Sequence, residues 1–350
     1  MNKTKTILSI AIASAIASPL SLQADEMTIY GSIGVAVEGI DSGNATAEVS
    51  NNHSAFGIKG AKNLEGDLKA VYLFDMFVGI DAGGGAGDDS LLGGGRDGWA
   101  GLAHDDWGIV ALGFQGRPWK TSTHHLDMFG NTIADYSAIM GSTGDPSTYF
   151  DGGIGNSAIW FGPNIKGFSW HAQYGADESD DKTNDWGVQA NYTMGDLYAT
   201  VSYDLDGRGS ADDVSAIKVA ANYNMTGKIG VTGMFESLNG GDTNSRSAYY
   251  LAASYKMSKT TLKAAFAMAN DLDAGSDTGA TYIAIGASHK LADNVELYAI
   301  YSMINNTDNA TYGYVSAPHT SSNGNTAVAA GDDTQVASVG FRYDFTLNKM

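Results

Sequence analysis

The segment Phe168-Ser169-Trp170-His171-Ala172-Gln173-Tyr174-Gly175-Ala176-Asp177 puts an apolar side chain at every second position and a polar or small one between. Successive side chains of an extended strand point to opposite faces, so this segment has one greasy face and one wet face. The split recurs in Trp186, Val188, Ala190 and Tyr192, in Leu197, Ala199, Val201 and Tyr203, and in Ile217, Val219, Ala221 and Tyr223. Later copies are Tyr249, Leu251, Ala253 and Tyr255, then Leu262, Ala264 and Phe266, then Val295, Leu297, Ala299 and Tyr301. None of these apolar faces carries a charge, whereas Asp204, Lys218, Glu296 and Arg342 fall on the polar parity of their strands. A Lys or Arg facing lipid costs roughly 2 to 4 kcal/mol at the bilayer midplane, while a lumen position faces water.

The connectors separate a membrane barrel from a soluble sandwich, which also alternates but in shorter strands. Sixteen candidate strands are read, and the segments between them alternate in length. Short ones fall at Lys62 to Gly66, His104 to Trp107, Pro163 to Lys166, Met194 to Asp196, Thr226 to Lys228, Met257 to Lys259 and Ala292 to Asn294. Between them lie long ones rich in Gly, Asp, Asn and Ser, at Gly39 to Asn52, Gly79 to Gly95, Gly116 to Gly153, Asp177 to Asn184, Asp206 to Asp213, Asn239 to Ser245, Asp271 to Thr278 and Asn305 to Asp333. Short turns on one side and long loops on the other are the pattern of a transmembrane antiparallel β-barrel. About 16 strands enclose an aqueous channel, whereas eight leave an interior filled by side chains.

Residues 1–24 carry Lys3 and Lys5, an apolar run from Ile7 to Ala17 and a small-residue end at Ala24, which is the layout of a secretory signal peptide; residues 25–350 are expected to form the barrel. Removing that leader takes the formal charge from −19 to −21, so nucleic acid is not an expected partner. Cysteine is absent, which excludes disulfides, thiolate metal sites and thiol nucleophiles. No cofactor and no metal is expected.

Thr28-Ile29-Tyr30-Gly31, Ser54-Ala55-Phe56-Gly57-Ile58-Lys59-Gly60, Gly66-Asp67-Leu68-Lys69-Ala70, Arg96-Asp97-Gly98-Trp99-Ala100-Gly101-Leu102 and Val339-Gly340-Phe341-Arg342-Tyr343-Asp344-Phe345 occur in this order. Together they resemble the general diffusion porins of Gram-negative outer membranes over the whole mature length. The resemblance implies a homotrimer of 16-stranded barrels in the outer membrane, with lipid and lipopolysaccharide outside and small hydrophilic solutes and ions passing within. It also implies that the long third loop, Gly116 to Gly153, folds into the pore, which suits its apolar Ile133, Tyr136, Ile139 and Met140. On this reading Asp127, with Asp135 or Asp145, forms the acidic side of the constriction. Arg96, with Lys59 or Arg117, forms the basic side. Ala55, Phe114 and Gly153 stand where the family commonly has arginine, and that loss leads to an expectation of cation preference. The chain also continues past the closing-strand aromatic Phe345 with Thr346-Leu347-Asn348-Lys349-Met350, a tail whose removal is expected to be tolerated.

Four sharper readings are weighed against blander ones. Gly84 to Leu91 matches a single calcium-binding nonapeptide unit, but one isolated unit cannot stack and a loop is favoured. His124-His125 lacks metal-ligand spacing and reads as a solvated pair. Trp and Tyr at strand ends read as interfacial girdles rather than sugar platforms, since lumen aromatics such as Tyr198, Tyr250 and Tyr298 are scattered. The alternative function is a non-conducting barrel enzyme or a secreted acidic ligand-binding β-protein, but no catalytic set can be assembled.

Overall fold

The structure is a computed structural model that describes residues 27–43, 45–81, 92–143, 150–176, 184–207, 214–240, 245–314, 319–320 and 328–349. The expected leader 1–24, the Gly84 to Leu91 unit and Asp145 lie outside the described residues. In chain order the strands are β1 (Met27–Asp41), β2 (Ala45–Asn52), β3 (Ala55–Asn63), β4 (Lys69–Val78), β5 (Leu92–His104), β6 (Gly108–Gly116), β7 (Gly153–Phe161), β8 (Phe168–Gly175) and β9 (Asp185–Met194). They continue as β10 (Leu197–Asp206), β11 (Val214–Met225), β12 (Ile229–Asn239), β13 (Arg246–Met257), β14 (Thr260–Ala269), β15 (Ala280–Ala292), β16 (Val295–Asn306), β17 (His319–Thr320) and β18 (Thr334–Lys349).

All are joined in one antiparallel sheet. β2 and β3 pair with successive parts of β1, Val35 to Asp41 and Met27 to Ser32, so they form one stave broken at His53, where φ is +61°. β17 is a two-residue addition to β2. Sixteen staves remain, and β1 pairs with β18 from Met27↔Lys349 to Asp41↔Gln335, closing the cylinder. Closure pairs every stave on both sides, which a lipid environment demands of backbone polar groups.

The seven short turns fall where the sequence places them. The first long loop does not. Ala45 to Asn52 are strand, paired with β1 as in Val37↔Val49 and Glu38↔Glu48, and the pairing reaches out to Asp41↔Ala45. Ala45, Thr46 and Ala47 are exposed on both faces, and a hairpin projecting beyond the lipid into water has no need of apolar alternation.

The expected apolar parity faces outward. Val188, Val201, Val219, Leu251, Phe266, Ile285, Leu297 and Tyr301 are exposed large hydrophobics, and Trp186, Tyr192, Tyr223, Tyr249 and Tyr255 join them nearer the strand ends. On a soluble protein such a surface would be an aggregation hazard; around a barrel it is the lipid contact. Because the outside is apolar, the main buried core lies inside the cylinder.

The closing strand does not stop at Phe345. Thr346 to Lys349 pair with Tyr30 to Met27, because the tail keeps extending antiparallel to a β1 that β3 also holds on its other side. Deleting Thr346 to Met350 therefore strips one partner from the start of β1, contrary to the tolerance expected from sequence. We expect the truncated protein to lose its folded, heat-modifiable form at a lower temperature in detergent gels. An unchanged transition would show the tail to be dispensable.

Candidate functional site: the loop-narrowed lumen

The third long loop, residues 117–152, enters the cylinder between β6 and β7 and packs against the inner wall of β10 to β16. It opens with α1 (Pro118–Thr123), where Pro118 occupies the first helical turn and loses no hydrogen bond by lacking an N–H. Trp119, Phe129, Ile133, Tyr136, Ile139 and Met140 are almost fully buried against the wall. The wall makes room for them. On the lumen parity, where water-facing polar residues are the rule, stand Ala216, Ala220, Ala248, Ala252, Ala265, Ala267 and Ala284, all in the same buried cluster.

Polar pins fix the loop's position. Glu236 accepts the Gly141 N–H at 2.9 and 3.0 Å and pairs with Arg246 at 2.9 Å. Arg246 in turn donates to the carbonyls of Ser142 and Ile139, at 2.8 and 2.6 Å. Gly141 sits at φ +79° with the Trp119 ring where a Cβ would lie, so only glycine fits there. Asp204 accepts the Trp119 N–H at 2.7 Å, Tyr198 donates to the Ser122 carbonyl at 2.9 Å and Tyr282 to that of Ala134 at 2.5 Å. The Lys218 ammonium lies 3.0 Å from the Trp119 ring centroid. Sequence placed Lys218 on the wet parity without a role, and Glu236, Arg246 and the wall alanines were missed, although alanines on a wet parity were a visible signal.

The loop's acids are used internally. Asp127 accepts from the N–H of Phe129 at 3.0 Å, the N–H of Tyr136 at 2.9 Å and the Tyr250 hydroxyl at 2.9 Å. Desolvation still raises its carboxyl to about 6, because three donors do not replace full hydration. Asp135 is fully buried and caps the short 3-10 turn Tyr136–Ala138 through the Ser137 N–H; burial, then the charge of Asp127, pushes its pKa well above the usual carboxylate range. Arg117 is buried too, held at 3.4 Å by Asp185 and 2.5 Å by Asp206, with Phe150 under its guanidinium. Of the residues assigned to the constriction from sequence, Asp135 and Arg117 are thus closed off from the lumen. Asp127 is at its edge with both oxygens taken.

Arg96 and Lys59 do face inward. Lys59 is half-buried over the Tyr30 ring at 5.3 Å. Arg96 pairs with Asp75 at 3.8 Å, Lys120 with Asp151 at 3.2 Å and Arg342 with Asp344 at 3.1 Å. In each pair the cation is the more exposed member: 24% against 11% for Arg96 and Asp75, 25% against 3% for Lys120 and Asp151, and 22% against 15% for Arg342 and Asp344. His124 and His125 are not solvated. They are half-buried between loop and wall, against His53 and Tyr198 respectively, and burial lowers them to about 3 and about 4, so both are neutral at pH 7. Among the described residues no group of three or more His, Cys, Asp or Glu could hold a metal ion. Tyr198, Tyr250 and Tyr298 hold the loop or span the wall to Asn52, rather than forming a platform along the lumen.

A closed sixteen-stave barrel with a lipid-facing exterior and a loop pinned across its charged lumen is an outer-membrane pore. A family model described as Gram-negative porin matches residues 9–309, and the chain belongs to that family. It is 23% identical over 293 residues to an outer membrane porin protein of Bordetella pertussis, covering 76% of this chain and 70% of that protein. Among solved structures it resembles an anion-selective porin from Comamonas acidovorans, at 23% identity and a TM-score of 0.80, covering 92% of this chain and all of the other. A trimer form of OmpT from Vibrio cholerae is similar at 18% identity and a TM-score of 0.65, again over 92% and 100% of the two chains. The protein is placed in the outer membrane.

Proposed function

We propose that the chain, exported with removal of residues 1–24, assembles as a homotrimer in contact with outer-membrane lipid and lipopolysaccharide, and passes small hydrophilic solutes by diffusion with a preference for anions. It performs no catalysis. The observation that carries the selectivity is the orientation of three lumen ion pairs, in which Arg96, Lys120 and Arg342 are more exposed than Asp75, Asp151 and Asp344. A narrow lumen with low-dielectric walls focuses the field of the charges nearest the ions, and those are cationic. The cation preference expected from sequence finds no support. It counted Asp127 and Asp135 as free lumen acids, whereas Asp135 is buried and both oxygens of Asp127 already accept hydrogen bonds. The relative from Comamonas acidovorans described as anion-selective agrees with the revised sign.

Reversal potentials in a potassium chloride gradient test this reading. Wild type should favour chloride, Arg96→Gln and Lys120→Gln should each reduce that preference, and Asp127→Asn should change it little. A potassium-selective wild type that Arg96→Gln leaves unmoved would reverse the assignment.

A further inference from the structure

A recess opens off the lumen where the first turns of the third loop face the bulged start of β5 and the end of β4. Its cavity volume is about 230 Å³, smaller than a drug-sized site but large enough for a single-ring molecule. Arg96, Lys120, His124, His125, Phe77 and Phe114 line it, together with the carboxylates of Asp97 and Asp151.

The two cations retain binding capacity. The contact of Arg96 with Asp75, at 3.8 Å, is too long for a hydrogen bond, and a guanidinium carries five N–H donors. Lys120 gives the Asp151 carbonyl a bond of 2.8 Å and its carboxylate one of 3.2 Å, which leaves a third ammonium proton. Nδ1 of His124 is buried with no hydrogen-bond partner among the described residues. The apolar part of the lining is equally organised. Phe77 is held with the Arg96 guanidinium 5.3 Å from its ring centroid and the His53 ring edge-on at 5.0 Å. A bare inorganic anion would meet the cations but leave the phenyl surfaces wet, whereas a carboxylate on a flat apolar body meets both at once.

We propose that this recess binds organic anions in which a carboxylate is joined to an aromatic body, the class represented by benzoate, and retains them during passage. The inference rests on the porin reading and narrows its solute class.

Planar-bilayer recordings in potassium chloride decide it, with benzoate and acetate as probes and each variant's current referred to its own conductance without them. Benzoate should reduce the wild-type current at about one tenth of the acetate concentration needed for the same effect, the ratio expected of one added aromatic contact. Arg96→Gln should raise the half-blocking benzoate concentration about tenfold, as loss of a charge-assisted hydrogen bond does. Phe77→Ala should raise it about threefold without altering acetate. Lys120→Gln, on a different element, should act in the same direction as Arg96→Gln, so a folding defect in one variant does not decide the outcome. Equal potency of benzoate and acetate on wild type, or a benzoate block that all three variants retain, overturns the proposal while leaving the pore intact. Absence of any potassium chloride conductance removes the porin reading itself.

Discussion

Arg246→Met is expected to raise single-channel conductance and make the current noisy, because it releases the third loop without opening the barrel. Arg246 and Glu236 have no side-chain exposure, and between them they engage the backbone of Ile139, Gly141 and Ser142. Removing one member of a buried ion pair leaves the other uncompensated, at a cost of about 3 to 5 kcal/mol. Little of that cost can fall on the cylinder, whose strand ladders do not depend on this pair. The loop can escape it by withdrawing from the wall and letting water reach Glu236. Neutralising the orphaned acid in Arg246→Met/Glu236→Gln should restore part of the wild-type behaviour, since the amide oxygen can still accept from Gly141. Conductance and noise that remain at wild-type levels in Arg246→Met would mean that the apolar contacts alone hold the loop.

Leu251→Arg is expected to cost about 2 to 4 kcal/mol of barrel stability, whereas Met257→Arg on the same face costs about 0 to 1. Both side chains point outward from β13, but Leu251 lies in the middle of the strand and Met257 beside the turn at 258–259. An arginine at the midplane has no water within reach, while one at the interface can extend its guanidinium to the headgroups. Urea unfolding of the detergent- or lipid-reconstituted protein measures the difference. Equal costs at the two positions would show that the depth assigned to β13 is wrong.

The cylinder was legible because a period-two apolar face is a local property. Residues such as Val219 and Tyr223 declare their side of the sheet without reference to any partner. Turn positions followed from the breaks between such runs. The hairpin of β1 and β2 was misread because its outer part stands in water, where Ala45 to Ala47 carry no alternation. The lumen was much less legible. Asp127, Asp135 and Arg117 are charged residues in a long loop, and sequence does not say whether such a residue turns to the pore or satisfies the loop's own N–H groups. That depends on a fold-back against strands a hundred residues away, as in the bonds of Asp127 to Tyr250 and Arg246 to Ser142. Lys59 lies on the inward parity of β3, whereas Arg96 reaches the lumen at a β-bulge that strand parity does not foretell. Lys120 was missed because its loop has no period to read.

The seam between β1 and β18 joins residues at opposite ends of the chain. Until β18 is available, β1 has no partner on that side, so the growing sheet has two open edges and the intermediate exposes strands that can pair with another chain. Contacts of such sequence separation form slowly, since the loop-closure entropy is met before any pairing offsets it. Assembly therefore depends on the last residues of the chain arriving intact. The unclosed precursor must be kept from its neighbours on the way to the membrane.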